Sequence, residues 1–399
     1  MGMNDTPRAE RVHIGFFGKR NAGKSSLVNA VAGQEIALVS DVLGTTTDPV
    51  FKSMELLPLG PVVIVDTPGI DDAGALGELR VKRTRRVLNT IDMAVLVVDA
   101  QVGLAPCDRE LVALFQQKSV PYLVCYNKSD LGHGEIAADG LPVSAKTGEN
   151  IHALKERLAR MAPTGEEKLR IVGDILSPGD FVVLVTPIDK AAPKGRLILP
   201  QQQTIRDILE ADATAIVVKE HELRDTLAGL SKKPSLVVTD SQVFAKANAD
   251  TPPDVPLTSF SILMARVKGL LDEAVQGVAA IEKLQDGDRV LIAEGCTHHR
   301  QCDDIGSVKI PRWLKNHTGK DLLIETSAGK GFSEDLTPYA LIIHCGGCML
   351  TEREVLARVR DARDQGVPIT NYGVTIAYMQ GILRRSLAVF PHLLTELEG

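Results

Sequence analysis

Val12-His13-Ile14-Gly15-Phe16-Phe17-Gly18-Lys19-Arg20-Asn21-Ala22-Gly23-Lys24-Ser25 decides how the first part of this 399-residue chain folds. The apolar run Val12–Phe17 predicts a strand and the glycines predict a turn. Leu27, Val28 and Val31 then predict the buried face of a helix. Strand, glycine-rich loop and helix in that order form a phosphate cradle. Successive N–H groups over Asn21, Ala22 and Gly23, together with the helix N-terminus, point at the anion. Lys24 is expected to reach the β- and γ-phosphates, and the Ser25 hydroxyl, with Ser26 beside it, to serve magnesium.

Three further stretches fit the same switch. Val62–Val65 is a second apolar strand ending in Asp66-Thr67-Pro68-Gly69, where the carboxylate can hold the magnesium shell and the Gly69 N–H can sense a γ-phosphate. Met93–Val98 and Tyr122–Tyr126 predict two more strands, the latter running into Asn127-Lys128-Ser129-Asp130. The Asp130 carboxylate can accept from guanine N1–H and the 2-amino group, a pairing adenine cannot offer. Ser144-Ala145-Lys146 follows a short strand and can present a backbone N–H to guanine O6. This order resembles the translation-factor-like small GTPases. Within them, Gly44-Thr45-Thr46-Thr47-Asp48 resembles the first switch of the tRNA-modifying MnmE (TrmE) GTPases. That resemblance implies Thr46 as a second magnesium-shell hydroxyl, with Thr45 as fallback, and Asn21 as a ligand to an activating potassium ion. Position 70 is Ile, where Ras-like proteins carry the glutamine that orients water, so slow turnover assisted by potassium or dimerisation is expected. Arg80, Arg83, Arg85 and Arg86 read as a solvated helix face.

Composition describes an ordinary globular protein of two or three domains: 44% hydrophobic, 24% charged, net charge −6. The acidic balance argues against a broad nucleic-acid surface. No apolar run approaches the roughly 18 residues a membrane helix needs. Residues 1–10 are polar and lack the apolar core of a signal peptide. Six cysteines are too few for a disulfide scaffold, so a reducing cytoplasm is expected.

After a polar break near Thr164–Lys168, Phe181–Val185, Ala215–Val218 and Leu236–Val238 suit buried parallel strands, with helices around Thr204–Glu210 and Glu220–Leu230 between them. His221 reads as a surface residue and Ala247–Asp254 as a loop. A long helical pattern from Leu263 to about Leu284 leads to the strand Arg289–Ala293 and then Cys296-Thr297-His298-His299. Leu341–Ile343 is a further strand, followed by His344-Cys345-Gly346-Gly347-Cys348 and a helix from Glu352. Both thiol groups thus fall beyond the carboxyl ends of strands, where open α/β sheets place their ligands. The helix dipole is expected to favour the thiolates of Cys345 and Cys348. Three cysteines fit an iron–sulfur cluster with one iron left to a weaker ligand, and they equally fit a Cys₃His zinc site. Cys302 reads as an ordinary small residue, Cys107 and Cys125 as core, and Trp313 as packing.

The spacing Cys296-x-His298 with His344-Cys345-x-x-Cys348, behind a GTPase and an α/β segment, resembles the FeFe-hydrogenase maturation GTPases, the HydF family. The likeness spans nearly the whole chain. It implies three α/β domains: a P-loop GTPase (8–165), a small dimerisation domain (170–262) and an iron–sulfur cluster-binding domain (263–399). By the same resemblance Cys296, Cys345 and Cys348 hold a 4Fe–4S cluster. His298 and Asp303 compete for the fourth iron, with His344 behind them as a supporting group. The family implies a homodimer or larger assembly, GTP with magnesium and potassium, and a transient 2Fe precursor. The radical-SAM maturases HydE and HydG supply that precursor, and the FeFe-hydrogenase apoprotein receives it. No membrane or nucleic-acid partner is expected. The competing readings are a tRNA- or ribosome-directed GTPase with a structural zinc, and a redox enzyme using the cluster for electron transfer.

Overall fold

The computed structural model describes residues 6–33, 49–67, 84–132, 134, 136–162, 169–188, 197–296, 304–329 and 331–396. The expectations placed on Thr45, Thr46, Gly69, Ile70, Arg80, Arg83, His298, Cys302 and Asp303 lie outside those residues. The chain forms two compact units, Met1–Glu167 and Lys168–Gly399.

The first unit is a six-stranded sheet in the order β2-β3-β1-β4-β5-β6. Its strands are β1 (Val12–Phe17), β2 (Val50–Leu56), β3 (Gly60–Asp66), β4 (Met93–Asp99), β5 (Tyr122–Asn127) and β6 (Leu141–Pro142). Every pairing is parallel except β2 with β3. The central strands are apolar along their whole length because both faces are covered. Ile14, Phe16, Val62 and Ile64 pack under the helices Lys24–Ala32 and Ile151–Met161, while Phe17, Val63 and Val65 pack with Phe115 of the helix Pro106–Gln117. Arg85 and Arg86 lie exposed on a helical turn over 84–88, as expected.

The second unit holds two four-stranded parallel sheets. The first runs β10-β9-β7-β8, from β7 (Phe181–Val185), β8 (Thr214–Val218), β9 (Leu236–Thr239) and β10 (Leu257–Ser259). The second runs β12-β11-β13-β14, from β11 (Arg289–Glu294), β12 (Leu323–Ala328), β13 (Leu341–His344) and β14 (Ile369–Asn371). One hydrophobic core extends through both, from Val172 to Leu393. The helix Phe260–Val267 joins them: Phe260, Ile262, Leu263, Met264 and Ala265 are buried, and it packs on β14 as well as on β10.

Three expectations change. Ala215–Val218 is not a buried strand but an edge, with Val217 42% exposed, because among the described residues β8 pairs with β7 alone. The helical pattern from Leu263 breaks at Gly269, whose φ of +68° favours glycine, so separate helices Phe260–Val267 and Leu271–Gly277 meet at a bend. Residues 247–250, read as loop, close the helix Phe244–Asp250 instead.

Candidate functional site

The phosphate loop is shaped by two glycines with no room for a side chain. A Cβ on Gly18 (φ +142°) would stand 2.2 Å from the Val97 carbonyl oxygen, and one on Gly23 (φ +85°) 2.2 Å from Asn127 Nδ2. Lys24 is buried at the start of its helix, its Nζ 3.5 Å from the Lys19 carbonyl oxygen. Parallel pairing of β1 with β3 brings Asp66 beside Phe16, and Ser25 Oγ donates to Asp66 Oδ2 at 3.2 Å. Burial pushes the Asp66 carboxyl above its ordinary value, against the pull of the Lys24 charge and the Ser25 hydroxyl. Asp66 Oδ1 is buried with no hydrogen-bond partner among the described residues. A buried carboxylate oxygen left unmatched beside a hydroxyl and an ammonium fits a hydrated magnesium ion.

Asn127 ties this loop to the base-recognition loops. Its Nδ2 donates to the carbonyls of Ala22 (3.0 Å) and Gly23 (3.4 Å), and its Oδ1 accepts from Ala145 N–H (3.0 Å). Ser144 Oγ donates to Asp130 Oδ1 at 2.6 Å, and Lys128 pairs with Asp99 at 2.6 Å. Asp130 and Lys146 are exposed, and Asn21 (φ +63°) is exposed on the phosphate loop. The nucleotide residues Asn21 to Ser26, Asp66, Asn127, Lys128, Asp130 and Ser144 to Lys146 therefore fall at the carboxyl ends of β1, β3, β5 and β6, on the last strand residues, the loops that follow and the first turn of the helix Lys24–Ala32.

In the second unit, the β11–β13 register sets Ala293 beside His344, so Cys296 and Cys345 both follow the carboxyl ends of adjacent strands. Cys345 N–H donates to the Ala293 carbonyl, and its Sγ accepts from Gly295 N–H (3.1 Å) and Gly347 N–H (3.4 Å). Cys296, Cys345 and Cys348 are each half-buried. Burial pushes the Cys345 thiol up, against its two N–H donors and Arg358. Burial also takes Cys348 to about 12, reinforced by the neighbouring Cys345 and Cys296. The thiolate preference expected of Cys345 and Cys348 is therefore not seen in the metal-free chain, where burial favours the protonated thiols. Among the described residues no group of three or more Cys, His, Asp or Glu is arranged to hold a metal ion. In kind, three half-buried cysteines on the loops after neighbouring strands, with two N–H donors on the Cys345 sulfur, are the donor set that a cluster takes.

His344 is fully buried, with Nδ1 2.7 Å from the Cys345 carbonyl oxygen and Nε2 3.2 Å from Arg358. Burial, with the Arg358 charge, lowers it to about 3, so the ring is neutral. Both ring nitrogens are engaged, which suits the supporting place given to it rather than ligation. Arg358, Glu294 and Tyr372, whose hydroxyl meets Glu294 at 3.3 Å, were not singled out in the sequence. A charged residue on the apolar stripe beside Val355, Val359 and Ala362 was the available signal for Arg358. Of the other cysteines, Cys125 is core as expected, whereas Cys107 is only half-buried.

Residues 13–128 match the family described as 50S ribosome-binding GTPase, 171–269 the hydrogen maturase F dimerization domain, and 272–389 the hydrogen maturase F tetramerization domain. The two maturase matches together cover more than half of the chain. GTPase Der of Wolinella succinogenes is 35% identical over 168 residues, covering 38% of this chain and 36% of its own. The tRNA modification GTPase MnmE of Neisseria meningitidis serogroup C is 36% identical over 160 residues, covering 38% and 35%. This chain thus spans about a third of the length of these curated relatives. Among solved structures, Aquifex aeolicus Era bound to GDP and AlF4− is 20% identical with a TM-score of 0.35, covering 52% of this chain and 92% of that one.

Proposed function

The chain belongs to the hydrogen maturase F family, and on that premise we propose that it is a GTP-hydrolysing scaffold for hydrogenase metallocluster assembly. It holds a 4Fe–4S cluster on Cys296, Cys345 and Cys348, accepts a diiron precursor from HydE and HydG, and delivers it to apo-FeFe-hydrogenase. The observation that carries this reading is that Cys296 and the Cys345–Cys348 loop follow the carboxyl ends of adjacent parallel strands, with two backbone N–H groups donating to the Cys345 sulfur. The cluster, when bound, supplies an iron with an exchangeable position for the incoming precursor. His298 and Asp303 are the candidates for that position, and His344 supports the loop from behind.

In the first unit Lys24 neutralises the β- and γ-phosphates, Ser25 and Asp66 serve magnesium, and Asp130 selects guanine. Thr46 and Gly69 complete the switch. Turnover is slow and potassium-stimulated through Asn21. The working form is a homodimer or larger, which the dimerization and tetramerization matches and the open, apolar β8 edge support. A reducing cytoplasm suits free thiols awaiting metal. The likeness to Der and MnmE covers only the GTPase part, so it does not favour an RNA-directed role.

The test is iron and acid-labile sulfide on protein purified without oxygen, with Cys345→Ala in parallel. Four of each per chain, lost in the variant, is the expected result. One zinc and no sulfide after reconstitution would remove the scaffold reading.

A further inference from the structure

Behind the Cys345 loop lies a buried cation. Arg358, 4% exposed on the helix Glu352–Asp364, donates through NH1 to His344 Nε2 (3.2 Å) and through NH2 to the Gly329 carbonyl (2.7 Å). Its guanidinium covers the Phe332 ring at 4.9 Å, and Glu354 Oε1 lies 3.4 Å from NH2. Arginine only donates, so Nε2 of His344 must accept. The ring proton then sits on Nδ1 and is donated to the Cys345 carbonyl, 2.7 Å away. The chain Arg358–His344–Cys345 is therefore directional, and each bond fixes the next. It also leaves a guanidinium out of water with neutral groups on two sides and one carboxylate, Glu354, at 3.4 Å, a setting in which further negative charge nearby is stabilising. That charge arrives at the thiols when they exchange protons for metal.

We propose that Arg358 is a positioning residue for the thiol site: through His344 it holds the Cys345 carbonyl, and its charge offsets that of the thiolate-bound cluster. It controls cluster retention and reduction potential without touching iron. The inference rests on the scaffold reading above. Glu294 faces the same loop with opposite sign and Lys268 stands near Cys348, so both are left intact while position 358 alone is varied.

The full chain is loaded with iron and sulfide without oxygen, and Cys345→Ala reports whether the cluster is held there. Arg358→Gln is expected to form a cluster that a chelator strips on the order of 10- to 100-fold more readily, the usual effect of losing a group that supports a metal ligand. Its midpoint potential shifts negative, because a cation that favours the reduced state is gone. Arg358→Lys restores the potential but not the retention, since an ammonium lacks the planar fork. Nitrogen-15 NMR of metal-free wild type, which needs no variant, is expected to find His344 protonated at Nδ1. A wild-type chain without a cluster would overturn the reading and the proposal together. A wild-type cluster lost in Cys345→Ala but unchanged in potential and retention in Arg358→Gln would overturn the proposal alone, as would an Nε2–H tautomer.

Discussion

Replacing Asn127 by alanine isolates the knot between the phosphate loop and the base-recognition loops. Asn127 is 2% exposed and its side chain makes three hydrogen bonds: two from Nδ2 to the Ala22 and Gly23 carbonyls, about a hundred residues earlier in the sequence, and one to Oδ1 from Ala145 N–H, 18 residues later. The 3.4 Å bond to Gly23 is weak, which leaves two that matter. Alanine would leave the Ala22 carbonyl and the Ala145 N–H unmatched, and each orphaned buried group costs about 1–3 kcal/mol. Allowing for partial access of water to both loops, the combined loss is about 2–4 kcal/mol, or about 30- to 700-fold in affinity if it falls wholly on nucleotide binding. The assay is GDP affinity by a fluorescent analogue, with thermal unfolding alongside to apportion the loss between binding and folding. A variant that binds GDP within threefold of wild type at an unchanged Tm would refute the argument, because neither loop would then depend on Asn127.

Hydrolysis by wild type is expected to run several-fold faster in potassium than in sodium, and Asn21→Ala to abolish the difference; equal rates in both salts would remove the potassium assignment. Val217→Lys puts a charge on the exposed face of the β8 edge and is expected to shift the assembly toward smaller species in light scattering. The Asp174 carboxyl is held below its ordinary value chiefly by its hydrogen bond to Arg266. A depressed folded-state value stabilises the fold above the unfolded pKa, near 3.9, and that contribution is lost as pH falls through the lowered value. Asp174→Asn should therefore lower stability at pH 7 and have less effect near pH 3, read by urea unfolding.

The nucleotide site was legible because each of its parts is a short contiguous stretch at a strand end, and strand ends in a parallel sheet converge by construction. Asn127, Asp130 and Lys24 could be placed in the sequence for that reason. The thiol site was legible in its residues, since Cys345-x-x-Cys348 is local and Cys296 follows a strand. Its electrostatics were not: a helix dipole can be read from sequence, but the desolvation that raises both thiols depends on how tightly Val355, Leu350 and Met264 close around the loop. Edge strands were the weak point of the fold. β12 carries Glu325 and Ser327 and alternates, β14 is three residues long, and β8 is as apolar as a buried strand yet lies open. The Arg358–His344 bond joins a helix to a strand end and exists only through packing, so no local pattern announces it.

The single core running from Val172 to Leu393 has a geometric consequence. Two sheets packed on one core present their loops to a partner as a unit. A copy seated along β8 would hold its own three thiols in a direction fixed by the symmetry operation relating the two chains. The separation between thiol sites in such an assembly would then be a constant of its architecture, the same with metal bound or absent. A spin-label pair placed one per copy near Leu350 would read it as one narrow distance.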